Sequence, residues 1–162
     1  MKEIAIITGG DSAEYEISIQ SANVVLKNLN LEKYAGTIVH IKNGKWTAII
    51  NGFHHNINKK DFSFEVNSKR KYFDYVFMAL HGPPAENGKI QTYFDDLKIK
   101  YSSCNSEVSA LTFNKIECNK KLTELGFNCA KSLHHKKGDS INTDQITKTL
   151  ELPCFIKPNQ GG

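Results

Sequence analysis

Glu3-Ile4-Ala5-Ile6-Ile7-Thr8-Gly9-Gly10-Asp11-Ser12-Ala13-Glu14 is the stretch on which the fold turns. Ile4–Ile7 is continuously apolar rather than alternating, the pattern of a strand buried on both faces of a helix-covered sheet. Gly9-Gly10 then turns the chain. From Ser12 to Leu29 the apolar residues Ile17, Val24, Val25 and Leu29 recur at near-helical spacing. That spacing predicts a helix with Asp11 or Ser12 as N-cap and Glu14 in its first turn. Strand, Gly-Gly turn and helix together make the opening unit of an open α/β sheet.

Further along, residues 35–42 read as extended. Asn43-Gly44, between Ile38-Val39-His40-Ile41 and Trp46-Thr47-Ala48-Ile49-Ile50, is a hairpin signal. Residues 51–72 read as polar and irregular. Tyr75–Leu80 is a second buried strand, ending in His81-Gly82-Pro83-Pro84. A short helix is expected over 87–97 and a short strand over 99–101. A helix over 107–125, interrupted near Phe113-Asn114, is stopped by Gly126. A short helix over 143–150 leads to a final strand over 154–157. The expected fold class is α/β with an open, mostly parallel sheet. Ser102-Ser103-Cys104-Asn105-Ser106 interrupts the pattern, so domains are expected at 1–103 and 104–162.

Composition narrows the function. A 40% hydrophobic and 23% charged content is that of a soluble globular protein. No apolar run is long enough to span a membrane. The opening run is too short for a signal-peptide core, so a cytoplasmic location is expected. Cys104, Cys118, Cys129 and Cys154 are widely spaced without C-x-x-C, so plain thiols are expected and no metal site. Net charge is +4, and Arg70 is the only arginine among 21 basic residues. Nucleic-acid binders lean on arginine, so nucleic acid is not an expected partner, whereas a small anion such as nucleotide phosphate is.

Three constellations carry candidate chemistry. Gly9-Gly10 followed by a helix N-terminus can admit a ligand to backbone N–H groups, and Glu14 there can hold a substrate ammonium. The same residues also suit a tight turn with a Glu favoured by the helix dipole. His81 follows a buried strand and should share the sheet edge with Glu14; it suits a ligand to carboxylate or phosphate, or a hydrogen-bonded loop histidine. Lys157 is the only charge in the apolar run Cys154–Lys157 and precedes Pro158-Asn159-Gln160-Gly161-Gly162, the opening of a glycine-rich loop. A lysine beside such a loop meets phosphate. Lys115 by itself reads as a helix-surface lysine.

The ordered series Gly9-Gly10-x-Ser12-x-Glu14-x-Glu16-x-Ser18, Ala79-Leu80-His81-Gly82, Glu86-x-Gly88-x-Ile90-Gln91, Ser109-Ala110-Leu111 with Lys115, and Leu152-Pro153 to Lys157-Pro158 resembles the D-alanine–D-alanine ligase family. The resemblance implies a Rossmann-like N-terminal domain preceding the start of an ATP-grasp central domain. It implies ATP-dependent joining of two D-alanines through an acyl phosphate, for peptidoglycan precursors. By motif position, Glu14 and His81 would be the catalytic pair. Glu14, Ile17, His81, Gly9 and Gly10 would bind the first D-alanine, and Lys115, Lys157, Gly161 and Gly162 would bind ATP. Magnesium is implied as well, with its ligands beyond residue 162, and so is a homodimer. Pro83-Pro84-Ala85 stands where the family has a glycine-rich stretch.

On this reading the chain is the front part of a longer enzyme and inactive alone. The alternatives are a D-alanine–D-lactate ligase, whose deciding residues lie outside this sequence, and a non-catalytic D-amino-acid-binding domain.

Overall fold

The structure is a computed structural model that describes residues 1–161; the expectation placed on Gly162 lies outside them. The chain divides into two compact units, Met1–Ala110 and Leu111–Gly161.

The first unit is built on a six-stranded sheet. Its strands are β1 (Lys2–Gly9), β2 (Tyr34–Lys42), β3 (Lys45–Ile50), β4 (Phe53–Asn56), β7 (Tyr75–Met78) and β8 (Lys100–Tyr101), in the order β4-β3-β2-β1-β7-β8. The pairs β1–β2, β1–β7 and β7–β8 are parallel, and β2–β3 and β3–β4 are antiparallel. The sheet is therefore mostly parallel, in an α/β chain, as expected. β5 (Phe64–Val66) and β6 (Lys69–Lys71) form a separate hairpin.

The continuous apolar run of β1 is explained by cover on both faces. On one side α1 (Tyr15–Lys27) places Ala22 against Ile4, Ile6 and Ala79. On the other, Ala5, Ile7, Val39 and Val76 pack with Phe62, Phe64, Phe73 and Phe94. Phe94 comes from α2 (Lys89–Asp96), and its ring meets Phe62 edge-on at 4.9 Å. Such pairs add about 0.5–1.5 kcal/mol beyond the area they bury.

Two parts of the chain differ from the expectation. Residues 51–72 are ordered into β4, β5 and β6 rather than irregular. The turn Asn51-Gly52 has both φ angles positive, as does Asn67-Ser68, the geometry that closes tight hairpins. The strand expected over 154–157 does not form. A strand exists through its ladder of hydrogen bonds, and Phe155 and Ile156 stand 87% and 98% exposed with no strand beside them among the described residues.

The division expected at 103/104 also meets a particular local packing. Residues 104–110 pack with the first unit. A Cβ on Gly88 would lie 2.4 Å from the Ser106 carbonyl oxygen, and the buried Gln91 amide donates to Ser109 Oγ at 3.2 Å. The break between units falls within α3 (Ser106–Phe113).

The second unit holds α4 (Lys115–Glu124) and α5 (Thr143–Leu150), capped by Asn114 and Asn142 side chains that accept from Glu117 and Gln145 N–H. The helical interruption expected at Phe113-Asn114 is thus a cap. Gly126, with φ +85°, ends α4. None of the described residues of this unit is buried. No helix of the described residues is long and apolar enough to cross a membrane.

Candidate functional site

β1 and β7 run parallel and adjacent, so the segments that follow them, Gly9–Glu14 and Ala79–Pro84, emerge at the same sheet edge. Ligands of open α/β sheets bind at this edge. The first segment differs from its expected capping. The N-cap of α1 is Glu14 rather than Asp11 or Ser12, and its side chain makes no capping bond. Ser12 Oγ instead accepts from Glu14 N–H at 3.2 Å. The Glu14 carboxylate is therefore not consumed by its own helix.

Serines of α1 and of the turn before it stitch the two segments together. Ser12 Oγ donates to the His81 carbonyl at 3.3 Å. Ser18 Oγ donates to the Glu14 carbonyl at 3.1 Å and accepts from His81 N–H at 2.9 Å. One turn on, Ser21 Oγ lies 3.0 Å from His81 Nε2 and fixes the imidazole. Gly82, with φ +73°, completes the approach. A Cβ there would lie 2.6 Å from Ser12 Oγ and 3.4 Å from Glu14 Oε2. The carboxylate of Glu14 thus lies beside Gly82, the residue after His81, while the His81 ring is held farther along the helix by Ser21. Ile17, one helical turn after Glu14, is half-exposed on the same helix.

Gly9 and Gly10 are required for a reason internal to the fold. A Cβ on Gly9 would overlap the Ile41 carbonyl, and one on Gly10 would lie 3.2 Å from the Pro83 carbonyl oxygen. Both have φ above +90°, a conformation that side chains resist. Gly10 N–H donates to the Ile41 carbonyl at 2.8 Å. A cleft of about 640 Å³ opens beside this turn, between Asp11, Ser12, Trp46, Pro83 and Tyr93.

The loop carrying His81 is braced from below. The buried Gln91 amide donates to the Ala85 carbonyl and to Ser103 Oγ, tying Pro83-Pro84-Ala85 to residues near 103. Two contacts at the other flank escaped the sequence reading. Tyr15 Oη lies 2.8 Å from His40 Nε2, and the Lys42 ammonium sits 4.0 Å from the centre of the Tyr15 ring. Burial, with Lys42 and His54 beside it, pushes the His40 pKa down. The one sign in sequence was a histidine amid the apolar residues of β2.

In the second unit, Lys115 Nζ donates to the Gly161 carbonyl at 2.8 Å. Lys115 N–H donates to the Asn159 carbonyl, and Ile116 N–H to Asn159 Oδ1 at 3.0 Å. The helix start and the glycine-rich loop are thus joined, which sequence spacing did not reveal for Lys115. Lys157 is exposed rather than set in a strand, and its ammonium lies 5.5 Å from the Phe155 ring centre. Among the described residues no group of three or more His, Cys, Asp or Glu is placed to share a metal ion.

Residues 3–104 match the family described as D-ala D-ala ligase N-terminus. A D-alanine–D-alanine ligase of Flavobacterium johnsoniae is 46% identical over 163 residues, covering 100% of this chain and 50% of that protein. One from Parabacteroides distasonis is 43% identical over 162 residues, covering 99% of this chain and 49% of that protein. The solved structure of D-alanine–D-alanine ligase from Bacillus anthracis complexed with ATP superposes with a TM-score of 0.73 at 27% identity, covering 99% of this chain and 48% of that one. The chain spans about half the length of the curated relatives it matches.

Proposed function

This chain belongs to the D-alanine–D-alanine ligase family, and from that premise we propose that it supplies the first-substrate side of an enzyme that joins two D-alanines at the expense of ATP. The ATP γ-phosphoryl group passes to the carboxylate of the first D-alanine, giving an acyl phosphate and ADP. The amine of the second D-alanine attacks the acyl carbon, phosphate leaves, and the dipeptide serves peptidoglycan synthesis. The protein is read as a cytoplasmic homodimer, and residues 1–162 alone as able to bind but not to join.

Glu14 accepts hydrogen bonds from the first substrate's ammonium, with Ile17 packing beside it and Gly9-Gly10 shaping the turn. His81, its Nε2 held by Ser21, faces the carboxylate where charge develops. Lys115 exchanges the Gly161 carbonyl for a phosphate oxygen, and Lys157 adds a second positive charge. Carboxylate and ATP repel each other, so positioning and neutralisation carry most of such a transfer.

The observation that carries the reading is the serine-stitched approach of Glu14 to the His81–Gly82 segment at the parallel sheet edge. Glu14→Gln in the full-length protein tests it by D-alanine-dependent ATP turnover. Loss of a charged hydrogen bond of about 1.5–3 kcal/mol should weaken the first D-alanine roughly 10- to 150-fold. Unchanged first-site affinity would remove Glu14 from the role.

A further inference from the structure

We propose that Tyr15 and His40 form a latch that sets the rotation of α1 and so positions Glu14 for the first substrate. The proposal rests on the ligase reading above and adds two positioning residues to it.

The turn that carries Glu14 is gripped from two sides. On the β7 side, Ser12, Ser18 and Ser21 bind the backbone and ring of His81. On the β2 side, Gly10 N–H donates to the Ile41 carbonyl, and Asp11 Oδ1 accepts from Asn43 N–H at 2.7 Å. Both of those β2-side bonds hold the loop before the helix. The Tyr15–His40 bond reaches β2 from the helix itself, at the residue next to Glu14.

Its geometry suits a latch. The rings meet edge-on at 5.6 Å and 70°, while the hydroxyl reaches Nε2. The His40 ring also fills the space beside Gly9, where a Cβ would lie 3.0 Å from Cδ2 and 3.2 Å from Nε2. One imidazole therefore touches both the glycine turn and the helix start. The Lys42 ammonium, 4.0 Å from the ring centre, adds a cation–π contact to Tyr15. A neutral His40 with its proton on Nδ1 accepts at Nε2 from the tyrosine hydroxyl, and burial favours the neutral form.

The lever arm shows why such a contact matters. Side-chain heads lie about 5–6 Å from a helix axis, so a rotation of about 15° moves one by roughly 1.5 Å. Misplacement of about 1 Å can cost 10²-fold in rate. Glu14 makes no capping bond, so the helix rotation sets the point from which its carboxylate reaches the substrate.

Tyr15→Phe removes the hydroxyl and keeps the ring on Lys42. His40→Phe removes the acceptor, and His40→Gln keeps an acceptor at similar reach. In the full-length protein, Tyr15→Phe and His40→Phe should each raise the KM of the first D-alanine about 3- to 10-fold with the KM of ATP within twofold. The double variant should be no worse than either single one, and His40→Gln should fall within twofold of the parent. Glu14→Gln is the reference variant. If Glu14→Gln changes the first-site KM but the Tyr15 and His40 variants leave it unchanged, or raise both KM values together, the latch is overturned and the ligase reading stands. If Glu14→Gln also leaves that KM unchanged, the role of Glu14 falls and the latch with it.

Discussion

At the scale of single residues, His40 shows how folding can choose a protonation state. Its pKa is pushed below the ordinary histidine value near 6.5 by burial first, then by Lys42 on β2 and His54 on β4, with the Tyr15 hydroxyl of α1 facing Nε2. The unfolded chain then binds more protons than the folded one between the lowered value and about 6.5. The stabilisation from this site is therefore complete above about pH 6.5 and is lost as pH falls through the lowered value. His40→Gln carries no such titration. Urea unfolding midpoints of parent and variant, followed from pH 7.5 to pH 5, should diverge as the pH falls, the parent losing more. Parallel pH profiles would show that His40 is not held neutral by the fold.

Turns make the argument at the scale of elements. Gly44, with φ +72°, closes the β2–β3 hairpin, and an added Cβ would meet nothing within 4 Å. Gly44→Ala thus isolates the backbone cost of a left-handed conformation, about 1–2 kcal/mol, and should lower stability by that amount in urea unfolding. A loss well above it would mean that the turn carries packing that the structure does not show. This hairpin was legible because Asn43-Gly44 lies between apolar runs. Asn51-Gly52 is the same signal, yet β4 reads Phe53-His54-His55-Asn56, an edge strand almost wholly exposed and without alternation to mark it. β5–β6 turns through Asn67-Ser68 with no glycine at all. The buried strands β1 and β7 and the helix α1 were legible because burial on both faces, or on one stripe, writes itself into hydrophobic spacing. At the site, Glu14 and His81 were legible from strand-to-loop position. Tyr15 and His40, far apart in sequence, meet only through the β1–β2 register that pairs Thr8 with His40. The expected strand at 154–157 misled for a related reason: an apolar run supplies side chains, but a strand also needs a neighbour to complete its hydrogen bonds.

At the scale of the whole molecule, apolar burial is distributed unequally. Every buried hydrophobic residue among those described lies between Ile4 and Phe94. Leu111–Gly161 buries none, and Leu125, Phe127, Ile141 and Phe155 are largely exposed there. Stability follows the apolar area removed from water, so the two units should differ sharply in their resistance to opening. α4 has 10 residues and α5 has 8, below the ~12–15 at which isolated helices become even marginal in water. Amide hydrogen exchange on the 162-residue polypeptide should therefore be slowest in β1, β2 and β7, with α4 and α5 exchanging orders of magnitude faster despite their side-chain caps. Limited proteolysis of the same polypeptide should first cut beyond Ala110 and leave a resistant fragment ending near it. Equal protection in α4 and β1 would contradict this account, because it would require the second unit to gain from hydrogen bonds such as Lys115–Gly161 what the first gains from a core. A net hydrogen bond contributes about 0.5–1.5 kcal/mol, against about 1.5–3 kcal/mol for each fully buried large apolar side chain. The few bonds that join α4 to the glycine-rich loop cannot match the aromatic and aliphatic cluster around Phe62 and Phe94, so on physical grounds the first unit is where cooperative folding resides.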